Sequence, residues 1–226
     1  MFRRPLSRRL SRVAVALLVC AAAAAHLWAW SRLRAAKAAL AGHRPEAARA
    51  ALDDCRRVWG WERAPAVRLY ASRAAWQAGD TDAARRELHA AQRLLGGATE
   101  ETAFEWALLT AAGGEVSEVE EYLQRKANQG PGAAPAVWEA LTVGYLRVYR
   151  TLDAMACVNR WLAERPNDVR ALELRGQTYV TGRGVTRGAD DYRRVLQLDP
   201  TRDPTRRRLI DCLITLGGYE EAAGLL

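Results

Sequence analysis

The feature that most constrains this chain is the recurrence of similar residues at intervals of 34. Four series share this interval: Tyr145, Tyr179 and Leu213; Ala154, Gly188 and Ala222; Val158, Tyr192 and Leu226; and Pro166 with Pro200. Towards the N-terminus the interval lengthens to 35 or 36, as between Gly79 and Gly114 or between Leu52 and Leu88. Such a period indicates one structural unit repeated about six times. The units run approximately over 29–64, 65–99, 100–134, 135–168, 169–202 and 203 onward.

Each unit has the pattern of two short helices. Apolar residues recur at spacings of three and four, as in Trp138, Leu141 and Tyr145, which predicts amphipathic helices. Glycines such as Gly79 and Gly217 mark the break between the two helices of a unit. Helices of about 12 to 14 residues are short for independent stability. Each one must bury its apolar face against a neighbour, so the sequence predicts an all-α fold of stacked helix pairs.

Two units carry a fuller set of marker residues. These are Trp138, Leu141, Tyr145, Ala154 and Pro166 in the fourth unit, and Gly176, Tyr179, Tyr192 and Pro200 in the fifth. With these residues, over about 29–226, the chain resembles the tetratricopeptide repeat (TPR) family, whose unit has Trp, Leu-Gly, Tyr, Ala, Phe and Pro at fixed spacing. The resemblance implies a right-handed α-solenoid of helix-turn-helix units, about six in number with the last incomplete, whose first helices line a concave groove.

The N-terminal 30 residues differ from the repeats. Residues 1–12 contain five Arg and no acid, and the 18 residues 13–30 are apolar and end with Trp28 and Trp30. A helix of that length just crosses a bilayer core of roughly 30 Å. The sequence therefore predicts a basic cytoplasmic tail over 1–12, a transmembrane or signal-anchor helix over 13–30 and a TPR solenoid over 31–226. The basic tail favours a cytoplasmic N-terminus with the repeats on the outer side.

A second interpretation of the same leader stays open. The sequence Ala23-Ala24-Ala25 fits the cleavage site of a secretory signal peptide, and cleavage there would start the mature chain at His26. The anchor is favoured because apolar character continues through Leu27, Trp28 and Trp30. In this respect the chain resembles membrane-anchored bacterial TPR proteins. The predicted location is the inner membrane, with a single span, or the periplasm or exterior if the leader is cleaved.

Charge and composition argue against several classes of function. Five of the eight excess positive charges belong to the leader, so the net charge of +8 does not indicate nucleic-acid binding. His26, His43 and His89 are far apart and have no Cys or carboxylate at metal-ligand spacing. No arrangement of Ser, Cys and His suggests a nucleophile with its base. We therefore expect no nucleic acid, no metal, no cofactor and no catalytic residue, and a protein that is not an enzyme.

The resemblance implies that binding takes place along the first helix of each unit. The groove positions are then Leu69, Arg73, Trp76, Phe104, Leu108, Glu139, Val143, Leu146, Glu173, Gln177, Arg207 and Asp211. An apolar stripe with Arg and Glu at its margins suits an extended peptide or an amphipathic helix. The alternative is that Trp76 and Phe104 pack against the neighbouring unit. Binding of chaperone C-termini is not expected, because the Lys and Asn residues of that carboxylate clamp are missing.

Three functional hypotheses follow. The first is a membrane-tethered scaffold that binds a protein or peptide partner in its groove. The second arises because the sequence stops at Leu226 within the last unit and lacks the capping helix that normally ends a solenoid. We expect a fragment of a longer protein, so the repeats could position substrate for an enzyme domain beyond Leu226. The third is a secreted, soluble repeat protein.

Overall fold

The computed structural model describes residues 6–130 and 134–226, with side chains from residue 12 onward in the N-terminal helix. Residues 1–5 of the predicted basic tail, 1–12, lie outside the described residues, and for residues 6–11 only the backbone is described. The chain divides into two compact units, which are described separately. Unit 1 comprises the chain up to Leu40 together with Arg44–Gly97, and unit 2 comprises Ala41–His43 together with Ala98–Leu226.

Unit 1 contains four α-helices in its described part. They are α1 (Leu6–Ala41, whose last residue belongs to unit 2), α2 (Pro45–Arg56), α3 (Pro65–Gln77) and α4 (Thr81–Leu95). A short 3-10 turn, Trp61–Arg63, lies between α2 and α3. The helices form two antiparallel pairs, α1 with α2 and α3 with α4, as the repeat pattern predicts.

Unit 2 contains eight further α-helices in its described part. They are α5 (Glu100–Gly113), α6 (Glu120–Asn128), α7 (Ala134–Arg147), α8 (Thr151–Glu164), α9 (Val169–Thr181), α10 (Val185–Leu198), α11 (Asp203–Leu216) and α12 (Tyr219–Gly224). The helix pairs begin within one residue of the unit starts predicted at 100, 135, 169 and 203. The predicted all-α fold of TPR-like helix-turn-helix pairs is confirmed.

Local sequence explains where the helices begin and end. Asp80 and Asp168 precede α4 and α9 and accept hydrogen bonds from backbone N–H groups of the first turn. Thr99 and Thr102 form a capping box at the start of α5. These contacts satisfy N–H groups that have no partner inside the helix. α5 is followed by Gly114 at φ 105°, a left-handed conformation that favours glycine.

Most of the periodic residues lie in the core of unit 2, whereas Leu226, Pro166 and Pro200 are exposed and Tyr179 is half-buried. Those that are at most 5% exposed include Tyr145, Ala154, Val158, Tyr192, Leu213 and Ala222. α7 packs against α5, α6 and α8, and α9 packs against α8 and α10. The approach of α7 to α5 requires glycine at Gly144, because a Cβ there would overlap the carbonyl oxygen of Ala111. Similarly, a Cβ on Gly188 would lie 2.9 Å from the carbonyl oxygen of Gly176. The close packing of α10 against α9 therefore also depends on a glycine.

The α1 helix changes character along its length. From Arg12 to Ala24 its described side chains are exposed, whereas Ala29, Leu33, Ala36 and Leu40 are buried. The buried face packs against residues of α2 and α3, including Cys55 and Val67. Among the described residues, Arg12–Ala41 is the helix that is long and apolar enough to cross a membrane. A signal sequence has the same properties.

Candidate polypeptide-binding surface

The candidate site of unit 2 is built from α7, α9 and the start of α11, which are first helices of successive pairs. Glu139 on α7 and Glu173 on α9 were both predicted as groove residues, and both are nearly buried, at 3% and 5% exposure. Arg170, one turn before Glu173, joins them. Its Nε donates to Glu139 Oε1 at 2.8 Å, and its Nη1 lies 3.5 Å from Glu173 Oε2. The two glutamates are therefore held in one network.

The network continues to α11. The Thr205 hydroxyl donates to Glu173 Oε1 at 2.5 Å, and Arg202 Nη1 lies 3.8 Å from the same oxygen. Arg202 Nε also pairs with Asp199 at 3.1 Å. Glu139, Arg170, Glu173 and Arg202 thus form a row of alternating charge, the charged row, in which each ion has a partner of opposite sign. Such pairing is what makes burial of charge tolerable.

A short piece of polypeptide lies on the charged row. It is the segment Ala41–His43, which belongs to unit 2. The Nδ1 atom of His43 lies 2.8 Å from Glu139 Oε1, and the side chain of His43 is 12% exposed. Arg202 Nη2 donates to the backbone carbonyl of Gly42 at 3.1 Å. One end of the row therefore receives a basic side chain, while the other receives a main-chain carbonyl.

The electrostatics of the row favour the ionised form of Glu139. Burial by itself raises the pKa of a carboxyl group, because it removes water from the charged form. The neighbouring His43 and Arg170 act in the opposite direction and prevail, so that the pKa of Glu139 is lowered to about 2. Glu139 is consequently a carboxylate throughout the physiological range, and the row keeps its alternating charge.

A cavity of about 260 Å³ lies beside the row between α9, α10 and α11. Two predicted groove residues, Gln177 and Asp211, line it together with Tyr192, Arg208 and Cys212. Burial raises the pKa of Tyr192 to about 12, although Arg208 opposes the shift. The phenol is therefore neutral and can donate a hydrogen bond. The cavity has room for one side chain of a bound segment.

The other predicted groove residues of unit 2 differ in exposure. Leu108 is fully buried and leaves no part of its side chain for a partner. Phe104, Val143 and Leu146 are half-buried, and Arg207 is exposed. The structure thus places these residues on α5, α7 and α11 as expected, but the charged row brings together only Glu139 and Glu173 of the predicted set.

In unit 1 the predicted groove residues lie on α3. Leu69 and Trp76 are nearly buried, at 8% and 7% exposure, and Arg73 is half-buried. Both apolar side chains are therefore largely withdrawn from solvent. A contribution of α3 to partner binding stays a prediction.

Sequence reasoning missed the basic half of the charged row. Glu139 and Glu173 were predicted as groove residues from the resemblance to the TPR family, and they lie 34 residues apart. Arg170 could have been found from its position three residues before Glu173, which places both on one helix face. Arg202 precedes α11, and Gly42 and His43 lie in a turn, so no helical period indicates their contribution.

Comparison with known proteins gives distant structural similarity. No protein-family model matches the chain, and no curated protein matches it. Among solved structures, the chain is similar to the MamA RS-1 ArsTM double mutant, with 16% identity over 87% of this chain and 89% of that chain and a TM-score of 0.39. It is also similar to the TPR domain of P58(IPK), with 18% identity over 84% of this chain and 66% of that chain and a TM-score of 0.34.

Proposed function

We propose that this protein is a membrane-tethered scaffold that binds an extended segment of a protein partner along the charged row of unit 2. The observation that carries the proposal is the position of Gly42 and His43. Their contacts combine a basic side chain on Glu139 with a main-chain carbonyl on Arg202. Recognition of both a side chain and the backbone is the usual basis of binding an extended peptide.

The chemistry of the row defines the kind of segment that it accepts. In this structure Glu139 receives the side chain of His43, and Arg202 donates to the carbonyl oxygen of Gly42. A partner segment that takes the place of Ala41–His43 would put a Lys, Arg or protonated His and a carbonyl oxygen at the same positions. Hydrogen bonds that involve an ionised group are stronger than neutral ones. The cavity lined by Gln177 and Asp211 provides a neighbouring position for a second side chain. The proposed ligand is therefore an extended segment with a basic residue.

The tether is the N-terminal part of α1. The helix Arg12–Ala41 is long and apolar enough for a single span, and the five Arg of residues 1–12 favour an N-terminus in the cytoplasm. In this arrangement the protein would hold its partner beside the membrane, with no chemistry of its own. The proposal thus joins the anchor and the charged row in one function.

The experiment that tests binding is site-specific photo-crosslinking in membranes of the native host. A benzophenone amino acid replaces Gln177 beside the row or, as a matched control, Glu164 at the exposed end of α8. We expect one partner protein to crosslink at 177 and not at 164. The variant Arg202→Ala, which loses the donor to the backbone carbonyl, should reduce the crosslink at 177 several-fold. Equal crosslinking at both positions, or no effect of Arg202→Ala, would contradict the proposal.

A second candidate, a secreted soluble form, is favoured by one observation. The exposed part of α1 ends at Ala24, and packing begins with half-buried Ala25 and the hydrogen bond from Trp61 Nε1 to His26 Nδ1 at 2.8 Å. Cleavage after Ala25 would therefore remove the exposed part and leave the packed part in place. The two forms differ in their N-terminus: the anchored form keeps the leader, whereas cleavage would start the secreted form at His26.

A further inference from the structure

The part of α1 that precedes its packing against unit 1 is too short to cross the hydrocarbon core of a bilayer. The inference drawn from this length rests on the proposed membrane anchor. Between the last basic residue, Arg12, and the first contact with the rest of unit 1, the helix contains the 13 residues Val13–Ala25. At 1.5 Å per residue they span about 20 Å, whereas the hydrocarbon core is roughly 30 Å thick. The apolar run continues after Ala25 with the exposed residues Leu27, Trp28 and Trp30, which supply the missing length on the side next to unit 1.

Two contacts fix what lies beside that part of α1. Trp61 Nε1 donates to His26 Nδ1 at 2.8 Å, and Cys55 Sγ donates to the carbonyl oxygen of Ala29 at 3.2 Å. They place the end of α2 and the following turn, residues 57–63, next to His26–Ala29. We call this segment the tryptophan turn. If α1 spans the bilayer, the tryptophan turn is at the depth where hydrocarbon meets headgroups.

The exposed side chains at this end of unit 1 are those that favour the membrane interface. Trp59 in the tryptophan turn is 87% exposed, and Trp28 and Trp30 on α1 are 45% and 52% exposed. Trp is enriched at membrane–water interfaces because its ring is apolar and its N–H is polar. Arg57 and Arg63 in the same turn are also exposed and are long enough to reach lipid phosphates.

The backbone of the turn explains why Trp59 is exposed. Gly60 has φ 88°, a left-handed conformation that glycine adopts without steric cost. The chain reverses there, so Trp61 points back to His26 while Trp59 faces away from the core. An isolated exposed Trp needs no explanation. Three exposed Trp at the same end of unit 1, next to an apolar helix, are a set that favours the membrane–water interface over water.

We propose that this end of unit 1, formed by the tryptophan turn with Trp28 and Trp30, lies in the headgroup region of the bilayer that α1 spans. The lipids of that membrane are its partner. Trp59 inserts at the border of the hydrocarbon, and Arg57 and Arg63 contact lipid phosphates. Unit 1 is then held against the membrane surface at a fixed depth, and the protein has no flexible stalk between the span and the first repeat.

Depth measurements on the full chain in vesicles of phosphatidylcholine and phosphatidylglycerol test this proposal. Cys20→Ala removes the exposed native thiol, while Cys55, Cys157 and Cys212 are buried. An environment-sensitive fluorophore is then attached to a cysteine introduced at one of three positions, Trp59, Ala78 or Leu18. Quenching is measured with lipids that carry a nitroxide either just below the headgroup or near the end of the acyl chain.

The three positions separate the anchor from the interface. Leu18 lies in the apolar run and reports on the span. Ala78 is an exposed residue of the same unit and serves as the control. The adjacent Gln77 donates a hydrogen bond to the carbonyl oxygen of Leu40 at 3.3 Å, so Ala78 lies near the C-terminal end of α1. Leu40 lies 14 residues beyond His26, which is about 21 Å further along the helix. Ala78 should therefore be in water when Trp59 is at the interface.

We expect the fluorophore at 18 to lose intensity with the deep quencher, the one at 59 with the shallow quencher, and the one at 78 with neither. Quenching at 18 without any at 59 would overturn the interfacial position and leave the anchor intact. No quenching at 18 would overturn the anchor and the interfacial position together. A fluorophore at 59 that is shielded from water but not quenched by lipid nitroxides would show a protein partner there and would also overturn the proposal.

Discussion

Glu139 shows how a single buried residue depends on its neighbours. With His43 and Arg170 beside it, its pKa falls from 4.5 to about 2. A lowered pKa means that the carboxylate stabilises the folded state above about pH 4.5 and that this stabilisation is lost as the pH falls towards 2. At about 1.4 kcal/mol per pKa unit, the loss is about 3 kcal/mol.

The variant Glu139→Gln should lack this acid-dependent loss. Urea unfolding at a series of pH values between 6 and about 2 would show a smaller decrease in the free energy of unfolding for Glu139→Gln than for wild type. Glu164→Gln, at an exposed position, should keep the wild-type profile. Parallel profiles for wild type and Glu139→Gln would mean that Glu139 titrates normally.

The ion pair between Arg175 and Asp191 is a second case in which a nearly buried charge depends on a neighbour of opposite sign. Arg175 lies 34 residues after Leu141 and 34 before Leu209, and Asp191 lies 34 residues after Cys157. Arg175 binds Asp191 through two hydrogen bonds of 2.8 and 2.6 Å, and Asp191 is 5% exposed. The period predicts the position of Arg175. It does not predict the ion pair, which depends on how α9 and α10 cross.

Replacing only one member of this pair should lower the free energy of unfolding more than replacing both. Arg175→Leu leaves a nearly buried carboxylate without its partner and should lower the free energy of unfolding by about 2 kcal/mol. The double variant Arg175→Leu/Asp191→Cys restores the residue types of the preceding unit and should recover most of that loss. A double-mutant cycle by urea unfolding measures the coupling. Additive single effects would contradict an energetically significant pair.

At the scale of elements, close helix contacts depend on glycine. Gly144→Ala should destabilise unit 2 by about 1–3 kcal/mol, because the new Cβ overlaps the carbonyl oxygen of Ala111 and pushes α7 away from α5. Gly113→Ala is the matched control, since a Cβ there meets nothing within 4 Å. Thermal unfolding followed by circular dichroism should show a lower midpoint for Gly144→Ala and not for Gly113→Ala. Equal midpoints would contradict the close contact.

The sequence predicts the boundaries of the helix pairs well. It predicts the contacts between helices less well. Glycines and the spacing of apolar residues mark each helix pair, so the pair boundaries agree within a residue in unit 2. The need for glycine at Gly144 could not be predicted, because it depends on the distance between α5 and α7. Similarly, the basic residues that join Glu139 and Glu173 come partly from turns, which carry no helical period.

At the scale of the whole molecule, α1 links the leader to the first repeat. The sequence predicts a span over 13–30 and a repeat region from 31, with a boundary between them. In the structure one uninterrupted helix, Leu6–Ala41, covers both. One face of the helix after Ala25 packs within unit 1, whereas the described side chains before Ala25 are exposed.

The most direct test of the membrane-tethered scaffold is the state of the native chain in its host. Membranes are washed with alkaline carbonate, and the mass of the intact protein is measured in the membrane and soluble fractions. We expect the protein to stay in the washed membranes with its N-terminal segment, including Val13–Ala25, still present. A soluble protein whose mass corresponds to a chain that starts at His26 would contradict this expectation.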